Sequence, residues 1–136
     1  MIIMSVDLGK ARTGIAVCDK TEFLASPYTV IFEKSPNKLL EKVVQAVKDT
    51  KAELIVVGLP KNMDGSEGFR VDATYKFAED LKTIYQGNIE FVDERLTTVS
   101  ATRVLNETNT RGKDRKNVLD TVSACFILES YLNSKK

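Results

Sequence analysis

A chain of 136 residues with 43% hydrophobic content fits one compact domain, spanning 1–136, that buries about two-thirds of its unfolded surface. Twenty basic against 19 acidic side chains leave a net charge of +1. No global attraction to polyanions follows from that balance, so any nucleic-acid contact must come from a local basic patch. Histidine is absent and the two cysteines, Cys18 and Cys125, match no metal-ligand spacing, which excludes a structural zinc site and a histidine general base.

The chain opens on a short apolar run, residues 2–6, far shorter than a signal-peptide core or a membrane span. A cytosolic protein without membrane association, its two thiols reduced and packed, is the expectation. The run reads as a buried strand ending at Asp7. Gly9 permits a tight turn, and residues 13–17 read as the return strand. A lone acid at the end of such a strand either binds a metal or closes an Asx-turn onto its own backbone; the metal reading needs partner acids elsewhere.

Residues 23–32 read as a third extended segment. Ser35 and Pro36 then supply a cap and a first-turn proline for a helix whose apolar face is Leu39, Leu40, Val43, Val44 and Val47. Residues 54–57 form a continuous apolar run bounded by Gly58 and Pro60, as expected of a parallel strand buried on both faces. The turn-rich segment 60–70, with Lys61, Asn62, Asp64, Gly65, Ser66 and Gly68, is expected over the crevice as a substrate-contacting loop, Asp64 being an outside candidate for a metal ligand.

A second helix carries Thr74, Phe77, Ala78, Leu81 and Ile84 on its buried face and ends at Gly87 and Asn88, before a strand at 89–92. The adjacent acids Asp93 and Glu94 follow. Thr97 or Thr98 caps a third helix bearing Ala101, Val104 and Leu105. The last helix spans about 116–132, with Val118, Leu119, Val122, Cys125, Phe126 and Leu132 as its buried stripe and Asp120 near its first turn. There Asp120 has the alternative of serving only the helix dipole or a capping arrangement with Asn117, and Glu94 that of serving only a pair with Arg95 or a helix cap. Arg111, Lys113, Arg115 and Lys116 cluster around Gly112 in what reads as a loop before Asp120. Such a cluster is either a solvated surface or a phosphate contact, and its adjacency to Asp120 favours phosphate. Arg12 and Arg95 stand beside the candidate ligands, able to clamp a phosphate bidentately or to neutralise the carboxylates.

The order β-β-β-α-β-α-β-α-α is a meander followed by two crossover units. Strands one, four and five are therefore expected parallel in a five-stranded mixed sheet with helices on both faces, an α/β fold. Ligand crevices in such sheets lie beyond the carboxyl ends of the strands. Asp7 and the pair Asp93-Glu94 should reach that same edge.

Taken together, Asp7-x-Gly9-x-x-Arg12-x-Gly14-x-Ala16, Gly58-Leu59-Pro60 with Asp64-Gly65-Ser66, Asp93-Glu94-Arg95-Leu96-Thr97-Thr98 and Asp120 before Ser123-Ala124 resemble the YqgF family, also called RuvX. The match covers nearly the whole chain; Ser123 departs from a position where the family more often has alanine. The resemblance implies an RNase H-like fold and a nuclease that matures the 5′ end of pre-16S ribosomal RNA, with kinship to Holliday junction resolvases acting on branched DNA. It also implies Asp7, Glu94 and Asp120 as the acidic triad; successive strand residues point to opposite faces, so only one of Asp93 and Glu94 can aim at the site, and the family pattern is what selects Glu94. Carboxylates suit a magnesium or manganese pair, which activates water and stabilises charge in phosphodiester hydrolysis without histidine. The other readings are an ATP-binding protein of the actin or sugar-kinase type, whose nucleotide lies between two such domains where this chain supplies one, and a catalytically idle RNA-binding module. The chain is expected as a monomer or homodimer, symmetric junction cutting requiring the dimer.

Overall fold

The computed structural model describes residues 1–9, 11–22, 24–59, 69–85, 87–93 and 112–134, without the side chains of 69, 70, 93 and 112–121. In chain order the elements are β1 (Ile3–Asp7), β2 (Arg12–Cys18), β3 (Ala25–Phe32), α1 (Pro36–Thr50), β4 (Leu54–Leu59), α2 (Phe69–Lys82), β5 (Asn88–Asp93) and α3 (Gly112–Ser134). The strands form one sheet in the order β3-β2-β1-β4-β5. β1 pairs antiparallel with β2 and parallel with β4; β2–β3 is antiparallel and β4–β5 parallel. The five-stranded mixed sheet expected from the sequence is the sheet observed. The expected helix around Ala101 to Leu105, with its cap at Thr97 or Thr98, lies outside the described residues.

Alternation along the strands divides the core into two layers. Met4 and Val6 of β1 and Ile55 and Val57 of β4 pack with Leu39, Leu40, Val43 and Val47 of α1 and Phe77 and Leu81 of α2. Their neighbours Ile3, Leu54 and Val56 face the other way, against Ala124, Ile127, Leu128 and Leu132 of α3. All six residues of β4 are buried, because a strand covered on both faces has no solvent side on which a polar residue could stand.

The turns have local causes. At Gly9 an added Cβ would strike the Arg12 carbonyl oxygen, so only glycine lets the chain reverse so tightly between β1 and β2. Ser35, in extended conformation at the N-cap of α1, makes no side-chain cap bond; the start rests on Pro36 and on the Leu39 amide donating to the Ser35 carbonyl at 2.9 Å. In β3, Ile15 pairs with Thr29 but Ala16 with Pro27, making Tyr28 the extra residue of a bulge. Bulge and proline both stand on an outer strand of the sheet, where they hinder further pairing.

Three expectations need correction. Ile84 does not belong to the buried face of α2: the helix ends at Lys82, the Ile84 amide turns back to Leu81 at 3.1 Å, and the side chain is 51% exposed. That i→i+3 bond tightens the last turn and rotates Ile84 off the stripe, while Val71 joins Thr74, Phe77, Ala78 and Leu81 inside. α3 begins at Gly112, not near 116, and among its described side chains the buried ones are Ala124, Ile127, Leu128 and Leu132, with Val122, Cys125 and Phe126 only half-buried; the expected Val118 and Leu119 lie outside the described side chains. The helix is apolar on several sides, so periodicity left its rotation open and contact with the sheet decided it. Finally, Ala46 is buried in α1 and Val44 only partly.

α1 closes on Lys51, whose φ of 60° and ψ of 34° are left-handed. Glycine is the usual occupant there because a Cβ is penalised. Lys51→Gly should therefore raise unfolding stability by about 0.5–1 kcal/mol, the relief of that penalty less the entropy of an added glycine, as read by urea denaturation.

Candidate active site

Asp7 is the last residue of β1 and half-buried. In register it stands opposite Gly14 of β2, and one residue beyond the Val6–Val57 pair it comes level with Gly58 of β4. Alternation puts Asp7, Gly14 and Gly58 on the α3 face, as it does Ile3, Ala16 and Val56. The carboxylate is thus flanked on both neighbouring strands by positions without a side chain, which leaves room beside it. Sequence alone marks Gly58 only as a strand boundary; strand pairing is what brings the two glycines level with the acid. Arg12, half-buried at the start of β2, shares the face and the sheet edge with Asp7.

β5 reaches the same edge. Gly58 pairs with Val92 and Leu59 with Asp93, so Asp93 ends its strand just past the row of Asp7. Two strand spacings put β5 about 10 Å from β1. On β5, Ile89 and Phe91 pack with the α1–α2 layer and Val92 with the α3 layer. Asp93 consequently occupies a backbone position of α1–α2 parity. Glu94 and Arg95 lie outside the described residues, as do Arg111 and the loop 60–68 with Asp64.

The helix α3 crosses this face at close range. Ser5, fully buried, donates its hydroxyl to the Ala124 carbonyl at 2.6 Å. Ser5 pairs with Ala16 on β2, so three small residues, Ser5, Ala16 and Ala124, let helix backbone approach strand backbone. Further along, the Tyr131 hydroxyl donates to the Glu90 carboxylate, which with desolvation pushes its pKa up to about 12. Ile127, Leu128 and Leu132 cover Ile3 and Leu54 at the amino ends of β1 and β4, together with Cys18 and Ala25 on the meander. The earlier turns of α3 therefore run toward the carboxyl edge.

Asp120 is the ninth residue of α3, well inside the helix. That corrects its expected place near the first turn, and the capping and dipole explanations, which act only within that turn, do not apply. Lys113, Arg115 and Lys116 likewise stand in the first turns of α3, not in a loop; the helix runs four residues further back than its apolar pattern signals.

The donor atoms available to a metal are hard. With no histidine in the chain, the alternatives to oxygen are two free cysteines. Burial pushes the Cys18 thiol up, and burial followed by the Glu129 charge pushes Cys125 up to about 11. Both stay protonated at neutral pH and neither is a thiolate ligand. Among the described residues no group of three or more metal-ligating side chains converges, and no helix is long and apolar enough to cross a membrane.

Comparison with known proteins agrees with this architecture. The family model described as "RuvX: Holliday junction resolvase" matches residues 1–134. A protein of Halothermothrix orenii named "Putative pre-16S rRNA nuclease" is 42% identical over 133 residues, covering 98% of this chain and 95% of that one. Among solved structures, Thermus thermophilus RuvC superposes with a TM-score of 0.60 at 10% identity, covering 99% of this chain and 97% of its own. The fowlpox virus resolvase, solved with Holliday junction DNA, gives 0.58 at 17% identity with 99% of both chains covered. The fold is the RNase H-like fold of these resolvases, and the chain belongs to the RuvX family.

Proposed function

We propose that this protein is a divalent-metal-dependent nuclease that hydrolyses phosphodiester bonds and acts in maturing the 5′ end of pre-16S ribosomal RNA, a cytoplasmic role. The observation that carries the proposal is the half-buried carboxylate of Asp7 at the carboxyl edge of the sheet, framed by Gly14 and Gly58. The name of the Halothermothrix orenii relative, matched over nearly the whole chain, supports RNA as the substrate.

Asp7, Glu94 and Asp120 form the proposed metal-holding triad. Glu94 is taken over Asp93 on the family pattern; Asp93 stands at a backbone position of α1–α2 parity. Asp120 is supported by its position one turn before Ala124. From the Ser5–Ala124 contact, Asp7 is about 6.5 Å along β1 and Asp120 about 6 Å along α3, displacements of matching length toward one edge. When bound, magnesium or manganese would supply an activated water and charge stabilisation on the attacking and leaving oxygens. The water oxygen adds to phosphorus, the bond to the leaving sugar oxygen breaks, and that oxygen takes a proton. Arg12 and Arg95 clamp non-bridging phosphate oxygens bidentately. Arg111, Lys113, Arg115 and Lys116, the cations that precede Asp120, contact phosphates of the flanking backbone.

Junction resolution is the second reading, favoured by the fold shared with the Thermus thermophilus and fowlpox virus resolvases. It requires a homodimer to place two symmetric cuts, where RNA trimming requires only a monomer. Purified protein offered pre-ribosomal RNA and a four-way DNA junction side by side separates the two.

Asp7→Asn should lower the cleavage rate by about 100-fold or more, the loss of several kcal/mol of metal-borne stabilisation. The variant should stay folded, as read by circular dichroism, since asparagine keeps the size and shape of the aspartate. Equal rates for the two proteins would sink the assignment. Activity should require magnesium or manganese and fail with calcium, which binds the carboxylates but suits the compact geometry poorly; undiminished cleavage in excess chelator is the contrary result. Replacing Lys113 and Arg115 by alanine should flatten the salt dependence of single-strand binding, by about 0.7 in log-log slope for each phosphate left without its cation. An unchanged slope would return that cluster to a solvated surface.

A further inference from the structure

Ser5 is a fully buried hydroxyl 119 residues distant in sequence from its partner, the Ala124 carbonyl, at 2.6 Å. That carbonyl sits inside α3, where the helix already supplies it with a backbone donor four residues on. The Ser5 bond is therefore not needed to satisfy the helix. Its effect is to fix how far α3 stands from β1 and where along the strand it is seated, since an apolar contact would allow sliding and a hydrogen bond of this length does not.

From this geometry we infer that Ser5 is a positioning residue for the metal site: its bond to Ala124 sets the separation of Asp7 and Asp120. The inference rests on the nuclease reading, in which those two acids share a metal pair. Ser5 lies two residues before Asp7 on one rigid strand and Ala124 four residues after Asp120 on one rigid helix. Each position is tied to the contact by a single regular element, so a displacement at the contact carries through the backbone to residues 7 and 120. Metal sites tolerate little of it, about 0.5 Å before ligand geometry degrades. Apolar packing around the contact, by Ala16, Val56, Ile127 and Leu128, holds the helix on the sheet but does not choose its seat.

The test is a magnesium titration of the cleavage rate with nucleic-acid affinity measured separately in chelator. Ser5→Ala should raise the magnesium concentration for half-maximal rate by about tenfold, the scale for groups that orient metal ligands. Its rate should recover at high magnesium and its affinity for nucleic acid in chelator should be unchanged. Ser5→Cys, whose thiol donates over a longer distance, should shift the requirement in the same direction, and it carries the expectation alone if Ser5→Ala is unfolded at the assay temperature. Ile127→Val, a truncation in the same layer that spares the hydrogen bond, should lower the melting temperature and leave the magnesium requirement where it was. A wild-type requirement in the Ser5 variants, or an equal shift in Ile127→Val, overturns the inference. Asp120→Asn with wild-type rate and magnesium requirement overturns instead the metal reading beneath it.

Discussion

The seating of α3 on the sheet governs the rest of the molecule. Burial alone holds helices against sheets at a separation set by side-chain bulk, commonly about 10 Å for stacked layers. Here the contact is made by Ser5, Ala16 and Ala124, and a hydroxyl reaches a main-chain carbonyl directly. Small side chains at this one crossing bring the backbones together, while Ile127, Leu128 and Leu132 fill the wider space downstream. The second fastening, Tyr131 to Glu90, ties the same helix to β5. A helix held by polar contacts on two different strands has little freedom to rock.

The carboxyl edge beside Asp7, by contrast, is built from omissions. Gly14 and Gly58 stand level with Asp7 on the two flanking strands, and Gly9 admits a turn that any Cβ would block. Room beside a carboxylate is what cations and a phosphate require, and a sheet filled with branched residues offers none. The two glycines weaken their strands locally; full burial of β4 on both faces compensates.

Much of this was legible in the sequence, for identifiable reasons. β1, β4 and the face of α1 stand out because burial on both faces, or on one, leaves unbroken or helical apolar spacing, and the parallel setting of strands one, four and five followed from the crossover pattern. Asp7 was readable because an acid closing an apolar strand is locally conspicuous. What remained hidden depends on tertiary contact. Val122, Cys125 and Phe126 fit a helical stripe as well as Ala124, Ile127 and Leu128 do, and only the close approach to Ser5 selects between them. The start of α3 at Gly112 was obscured by its charged first turns, which carry no apolar period, and with it the interior position of Asp120. The triad itself was supplied by resemblance to the family, since spacing does not distinguish Glu94 from Asp93.

The division of the core into two layers has a consequence for the order of assembly. Among the described residues, the members of the layer against α1 and α2 run from Ile2 to Phe91 and have all been made once β5 is synthesised. The opposite face of the same strands, Ile3, Ala16, Leu54 and Val56, waits for residues 124–132, with Ser5 exposed among them. During synthesis, at roughly 5–20 residues per second, a half-clad sheet therefore persists for seconds with an apolar face turned to water. The nascent chain in that interval has one sheet face already clad and the other open to association, and α3, made last of the described elements, is what closes it.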